Sequence, residues 1–247
     1  MLAISTLVLG LWIRHQLRQR TPLINLQLMA DRQVAIAYAC MALVGMGAMQ
    51  TAQILVIFLQ QPAATQVGFG LTATAAGAVL LPPNLVSIIA GPLSGGLAHR
   101  LDARRALIYA SIPIIGAWLA IALWHDRLWF VTGVLVVGQL GLFGAYTAIA
   151  NLIVEAVPEA RTSEATGLMA VFRATFMAVG AQVISLLLAG STVPSPSGGA
   201  SLPAPEAYLA GFGYITATGL ATLLLALSIP RRRRMVQAAP VRALSGS

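Results

Sequence analysis

Residues 91–105 read Gly-Pro-Leu-Ser-Gly-Gly-Leu-Ala-His-Arg-Leu-Asp-Ala-Arg-Arg, and this stretch decides how the rest of the chain folds. A long apolar segment ends in it, and a second apolar segment begins directly after it. Small residues let helix backbones approach closely, and arginines suit lipid headgroups or the carbonyls at helix ends. The stretch therefore predicts two membrane-spanning helices joined by a short basic turn.

The composition excludes a water-soluble fold. Of the 247 residues, 58% are hydrophobic and 9% are charged, whereas a soluble domain carries about 25% charged residues. The net charge of +8 comes from arginines between and after apolar runs. This placement favours an anionic membrane surface over nucleic acid. The single cysteine, Cys40, lies in an apolar run, so the sequence indicates neither a disulfide framework nor a zinc site.

Apolar runs divide the chain into four parts. Residues 1–13 are shorter than the ~20 residues that a span needs, so we interpret them as the end of a truncated transmembrane helix. No basic region precedes them, which argues against a signal peptide. We predict a cytoplasmic interfacial linker at 14–32, an all-α bundle of six spans at 33–230 and a basic cytoplasmic tail at 231–247. The predicted spans cover residues 34–59, 72–98, 106–124, 128–154, 165–189 and 208–229.

Arginines alternate along the linkers between these runs. They follow every second apolar run, and the intervening linkers carry only Arg127. Cytoplasmic loops of membrane proteins are rich in arginine and lysine. We therefore expect a multi-pass protein of the plasma or inner membrane, with a cytoplasmic C-terminus and an external loop at 191–205.

Two predicted spans concentrate polar or aromatic side chains on one helix face. Gln50 and Gln53 are three residues apart and share a face with two methionines. The predicted span at 128–154 carries an amide and two aromatic rings on one face, at positions i, i+4 and i+7: Gln139, Phe143 and Tyr146. Such faces can repack around varied ligands, or their amides can bond between helices. Both interpretations stay open.

The sequence shows no catalytic constellation. An intramembrane enzyme would need a nucleophile and a base at matching depth, and the chain offers no such pair. None of the six predicted spans contains an aspartate or a glutamate. We therefore expect a protein that is not an enzyme and that uses neither a metal nor another cofactor.

The basic turn and the residues before it resemble a signature of the major facilitator superfamily, G-x-L-A-D-R-x-G-x-R-R. His99 and Asp102 stand where the family has aspartate and glycine. A segment at 157–168, with Arg173 beyond it, is similar to a motif of the fourteen-span drug:proton antiporters, where it opens the fifth helix of the C-terminal half. The resemblance covers about residues 20–230. The residues that match the signature are Gly95, Leu97, Ala98, Arg100, Arg104 and Arg105.

The resemblance implies the six-helix C-terminal bundle of a transporter that exports small lipophilic or cationic compounds by proton antiport and alternating access. It implies partners beyond the substrate: protons, membrane lipids and an N-terminal bundle, but no nucleic acid. In the family, the first and fourth helices of a bundle line the substrate cavity, which assigns Gln50, Gln53, Gln139, Phe143 and Tyr146 to binding. The gating residues would be Gly95, His99, Arg100, Asp102, Arg104, Arg105 and Arg173. The alternative is a non-transporting membrane scaffold or assembly subunit.

Arg173 is the ionisable residue within a predicted span, about two turns after the span begins. Intramembrane charges are functional candidates by default. The favoured interpretation is that its long side chain snorkels towards the cytoplasmic surface or pairs with Glu155 or Glu164. The functional interpretation is a gating contact with the other bundle.

Overall fold

The computed structural model describes residues 31–65, 67–100, 102–195 and 201–229, so the predictions for residues 1–30 and 230–247 lie outside it. Over the described ranges the chain is almost entirely helical, and the all-α prediction is confirmed. Its helices are α1 (Arg32–Met46), α2 (Thr51–Gln60), α3 (Ala73–Arg100), α4 (Ala103–Leu123), α5 (Leu128–Ala156), α6 (Thr162–Ala189) and α7 (Pro205–Ser228).

The described helices have the length and surface of a membrane protein. Five helical stretches are long and apolar enough to cross a membrane, namely α1 together with α2, and α4, α5, α6 and α7. Helix α3 has 28 residues, which at about 1.5 Å per residue exceeds the ~30 Å of the hydrocarbon core. Large apolar side chains such as Ile88, Leu186 and Leu224 are exposed on the outer surface. A lipid-facing surface explains this exposure.

The first span is the centre of the bundle. Within Arg32–Gln60, 61% of an 18-residue apolar segment is buried inside the protein. In the stretch that contains α6, the corresponding share is 17%. Helix α1 bonds to two neighbours through side chains. The Tyr38 hydroxyl donates to the carbonyl of Ala165 at 2.9 Å, and Nε2 of Gln33 donates to the carbonyl of Leu152 at 3.2 Å. The stretch that contains α6 is the least buried of the five apolar stretches, and its exposed face is here called the open side of the bundle.

The sequence predicts one continuous span at 34–59, and the structure breaks it in the middle. Helix α1 ends at Met46, a short 3₁₀ turn covers Ala48–Gln50, and α2 follows. Gly47 lies against α7, where a Cβ atom on it would overlap Oγ1 of Thr218. Only glycine fits this crossing, and glycine is also a poor helix former. The break therefore lies where the central helix crosses α7.

The basic turn of the signature stretch is shorter than its sequence suggests. Helix α3 continues through Pro82 and Pro83 to Arg100, and α4 begins at Ala103 with Asp102 before it. Each helix therefore extends into the polar stretch by several residues. The predicted pair of helices joined by a tight basic turn is present.

The other end of the bundle is closed by a small hairpin and an aromatic cluster. Strands β1 (Thr192–Val193) and β2 (Leu202–Pro203) pair antiparallel. The Gln61 amide donates to the carbonyl of Pro203 at 2.8 Å, and it accepts from the Tyr208 hydroxyl at 2.5 Å. The ring of Phe58 packs edge-on against Tyr208 at 5.4 Å. These contacts fix the loop between α6 and α7 to the end of α2.

Candidate functional site

Glycines bring α1 and α6 into backbone contact beside the break. A Cβ atom on Gly45 would lie 3.3 Å from the carbonyl oxygen of Arg173. A Cβ atom on Gly180 would overlap the carbonyl oxygen of Met46. Such close approach is typical of small residues at helix crossings in membranes. It brings the carbonyls of α6 within reach of the glutamines that follow the break.

Gln50 lies in this crossing and is 4% exposed. Its Nε2 donates to the carbonyl of Gly45 at 2.8 Å and to the carbonyl of Met177 at 2.9 Å. Carbonyls at the end of a helix lack their usual backbone partners. The amide therefore caps the end of α1 and fastens it to α6.

Gln53 continues this contact one turn further. Its Nε2 donates to the carbonyl of Ala181 at 3.2 Å and to Oγ of Ser185 at 3.1 Å. Gln50 and Gln53 thus bond between helices, which is one of the two interpretations that the sequence allows for them. Contact of either amide with a ligand stays a prediction.

Gln139 lies on the other side of the break and has a different environment. Its half-buried amide has no hydrogen-bond partner within the described ranges. It lines a small cavity, together with Thr51 at the start of α2 and Trp118 on α4. The centre of a water molecule can occupy a volume of about 10 Å³ in this cavity. A single water molecule needs roughly this much space. The structure therefore places an amide without a hydrogen-bond partner among the described residues at a small, partly open cavity near the middle of α5.

The two aromatic rings predicted to accompany Gln139 lie elsewhere. Phe143 and Tyr146 are half-buried on α5, and Tyr146 packs against the hydrophobic core. Neither residue lines the cavity beside Gln139. Of the five predicted binding residues, this cavity therefore includes one, while Gln50 and Gln53 face α6.

Arg173 lies deeper in its helix than the sequence predicts. Helix α6 begins at Thr162, which puts Arg173 about three turns from the start rather than two. Its Nη1 lies 3.9 Å from Sδ of Met177. Its Nε is buried and has no hydrogen-bond partner within the described ranges. Neither a pairing with Glu155 or Glu164 nor a gating role is tested by this geometry, and both stay predictions.

The arginines of the signature turn differ in their contacts. Arg104 donates from Nε to the carbonyl of Ala226 at 3.2 Å and from Nη2 to the carbonyl of Leu227 at 2.8 Å. Arg105 lies 3.9 Å from the carboxylate of Asp102, and both side chains are mostly exposed. An exposed ion pair adds little stability. Arg104 therefore fastens the turn to the end of α7.

The remaining signature residues lie in the last two turns of α3. The backbones of Gly95, His99 and Arg100 are helical there, and their gating roles stay predictions.

Sequence reasoning missed Trp118 and Thr51 as cavity residues. Trp118 lies in an apolar helix, where a tryptophan usually indicates packing, and Thr51 gains its position only from the break. The unusual spacing of Gly45 and Gly47 before Gln50 was the available signal for that break.

The groups that line the described cavity are suited to binding. Within the part of the chain that the structure describes, no group of three or more His, Cys, Asp or Glu side chains could hold a metal ion. The cavity lining contributes a carboxamide, a hydroxyl, an indole and aliphatic groups. These groups can recognise a ligand by shape and hydrogen bonding.

Comparison with known proteins agrees with this membrane architecture. The model of the family described as Major Facilitator Superfamily matches residues 3–181. Two curated relatives are named "Multidrug resistance protein Stp", from Mycobacterium tuberculosis strains CDC 1551 / Oshkosh and ATCC 25618 / H37Rv. Each is 27% identical over 186 residues, which are 73% of this chain and 32% of the relative. The match thus spans about a third of each relative. The chain belongs to the major facilitator superfamily, a family of membrane transporters.

Proposed function

We propose that this chain is part of a secondary active transporter that exports small lipophilic or cationic compounds in exchange for protons. The observation that carries the proposal is the unsatisfied amide of Gln139 at a cavity beside a mid-span break. Transporters commonly bind their substrates near the bilayer midplane at discontinuous helices. Family membership and the names of the two relatives support the same function.

Alternating access requires a second bundle against which this one can rock. We infer that an N-terminal bundle of the same transporter packs against the open side of the bundle at α6. That helix is the least buried of the five apolar stretches. The guanidinium of Arg173 and the signature turn would then act as gating contacts. Substrate, protons and membrane lipids complete the set of partners.

We further propose a cytoplasmic C-terminus in the plasma or inner membrane. Two exposed serines test this orientation. Ser163 lies at the start of α6, and Ser201 lies in the loop that follows this helix. In a Cys40→Ala background, cysteine at Ser201 should react with an impermeant thiol reagent on intact cells, and cysteine at Ser163 should react only after permeabilisation. The reverse pattern would contradict the orientation.

Transport is tested with the complete polypeptide that contains these 247 residues. In proteoliposomes, a proton gradient should drive saturable efflux of a lipophilic dye, and collapse of the gradient should abolish it. The 247 residues alone should give no efflux above empty liposomes, because they supply one bundle. If the complete polypeptide is folded and shows no gradient-dependent flux, the scaffold alternative is the better description. The satisfied amides of Gln50 and Gln53 favour that alternative.

A further inference from the structure

The cavity beside Gln139 is built by three different spans. Thr51 contributes from the break in the first span, Trp118 from α4 and Gln139 from α5. Its remaining lining consists of small or aliphatic residues together with Gly138. The cavity is therefore a partly open, largely apolar space with three polar groups in its wall.

Those three groups retain unused hydrogen-bonding capacity. Within the described ranges, neither the carboxamide of Gln139 nor the indole N–H of Trp118 has a hydrogen-bond partner. Oγ1 of Thr51 donates to the carbonyl of Ala48 at 2.6 Å, so its lone pairs can still accept a bond. Polar groups in the membrane interior need a partner, because leaving one unpaired costs free energy. The cavity can thus both donate to and accept from a guest.

The charge at this depth does not suit a cation. The cavity lining contains no ionisable side chain. Burying a charge without a partner is far costlier than burying a neutral polar group. Arg173, on the other side of the break, is itself a cation. An uncharged guest therefore fits the cavity better than an ammonium or phosphonium group.

We propose that this cavity is a subsite for an uncharged hydrogen-bonding group, a carbonyl or a hydroxyl, carried by a lipophilic compound. Trp118 and Thr51 are then ligand-contacting residues beside Gln139, and one water molecule occupies the subsite in the absence of the compound. The inference rests on the proposed function and narrows its substrates from lipophilic or cationic compounds to neutral ones.

Tryptophan fluorescence tests this subsite directly. In the complete polypeptide, every tryptophan except Trp118 is changed to phenylalanine, and progesterone serves as a neutral lipophilic ketone. Titration should change the Trp118 emission saturably. Gln139→Leu should weaken this binding by about five-fold, the equivalent of one neutral hydrogen bond. The cation tetraphenylphosphonium should not compete.

Two matched controls accompany the titration. Gln60→Leu removes an amide at the end of α2 that donates within its own helix, to the carbonyl of Val56, and should leave progesterone affinity unchanged. A variant that retains only Trp129, which is 69% exposed at the start of α5, should show no saturable change in emission.

Three outcomes would overturn the subsite. In the first, the folded chain shows no saturable progesterone binding. In the second, equilibrium dialysis shows saturable binding but the Trp118 emission does not change, and in the third tetraphenylphosphonium competes as well as progesterone does. If one of these outcomes is found and proton-driven dye efflux is still observed, the subsite is wrong and the proposed transport stands. Progesterone binding at Trp118 without gradient-dependent flux removes the proposed transport and leaves the subsite.

Discussion

The first and fourth spans both have a glutamine near their middle, yet the two amides have opposite environments. Gln50 is 4% exposed and donates to two carbonyls on different helices. Gln139 is half-buried and has no hydrogen-bond partner within the described ranges. The first span is broken and the fourth is continuous. The difference shows that the break supplies the first amide with an acceptor, the carbonyl of Gly45, whereas the second amide has no such acceptor within the described ranges.

The largest effect is expected where the broken span contacts α6. Gly180→Ala would place a methyl group on top of the carbonyl oxygen of Met46, so the helices must move apart. We expect a loss of about 1–3 kcal/mol in unfolding free energy, measured by thermal unfolding in detergent. The control is Gly167→Ala on the same helix, where a Cβ atom would meet nothing within 4 Å. Equal stability of the two variants would contradict the close crossing.

Removing the Gln50 amide should have the next largest effect. Gln50→Leu leaves the carbonyls of Gly45 and Met177 without this donor. Unsatisfied buried polar groups cost about 1–3 kcal/mol, and we expect the lower half of that range because membrane hydrogen bonds are weaker on average. Chemical unfolding measures the loss. A variant as stable as the wild type would show that the break does not depend on this amide.

The next largest difference in stability is expected between substitutions of the two arginines of the signature turn. Arg104→Met loses two bonds to the carbonyls at the end of α7, and we expect a loss of about 1–2 kcal/mol. Arg105→Met loses an exposed pair at 3.9 Å, and we expect a loss of at most about 0.5 kcal/mol. Thermal unfolding of both variants measures the difference. A greater loss for Arg105→Met would reverse the assignment of their roles.

The smallest stability effect is expected at Gln139. Gln139→Leu removes no hydrogen bond that the described residues make, so we expect a change within about 0.5 kcal/mol. Under the proposed function, the complete transporter should reach the membrane at normal levels and show an altered substrate range in efflux assays. A destabilised variant with a normal substrate profile would place Gln139 with Gln50 as a structural amide.

The sequence predicts the helices well because lipid imposes a simple rule on length and polarity. The span that contains α6, for example, follows from one apolar run. The break at Gly47 escapes that rule, since it depends on how closely Thr218 approaches. The polar residues Gln50, Gln53 and Gln139 are also evident from the sequence. Their roles are not, because the partners of Gln50 are backbone carbonyls that leave no pattern in the side chains.

The bond between Arg104 and the end of α7 has a consequence for biosynthesis. The guanidinium and the carbonyl of Ala226 are 122 residues apart in the chain. At about 5–20 residues per second, a ribosome needs on the order of ten seconds to make the intervening segment. During this interval the turn is already made and its partner is not. A nascent chain that stalls before Ala226 therefore has a basic turn whose carbonyl partners at the end of α7 have not yet been made.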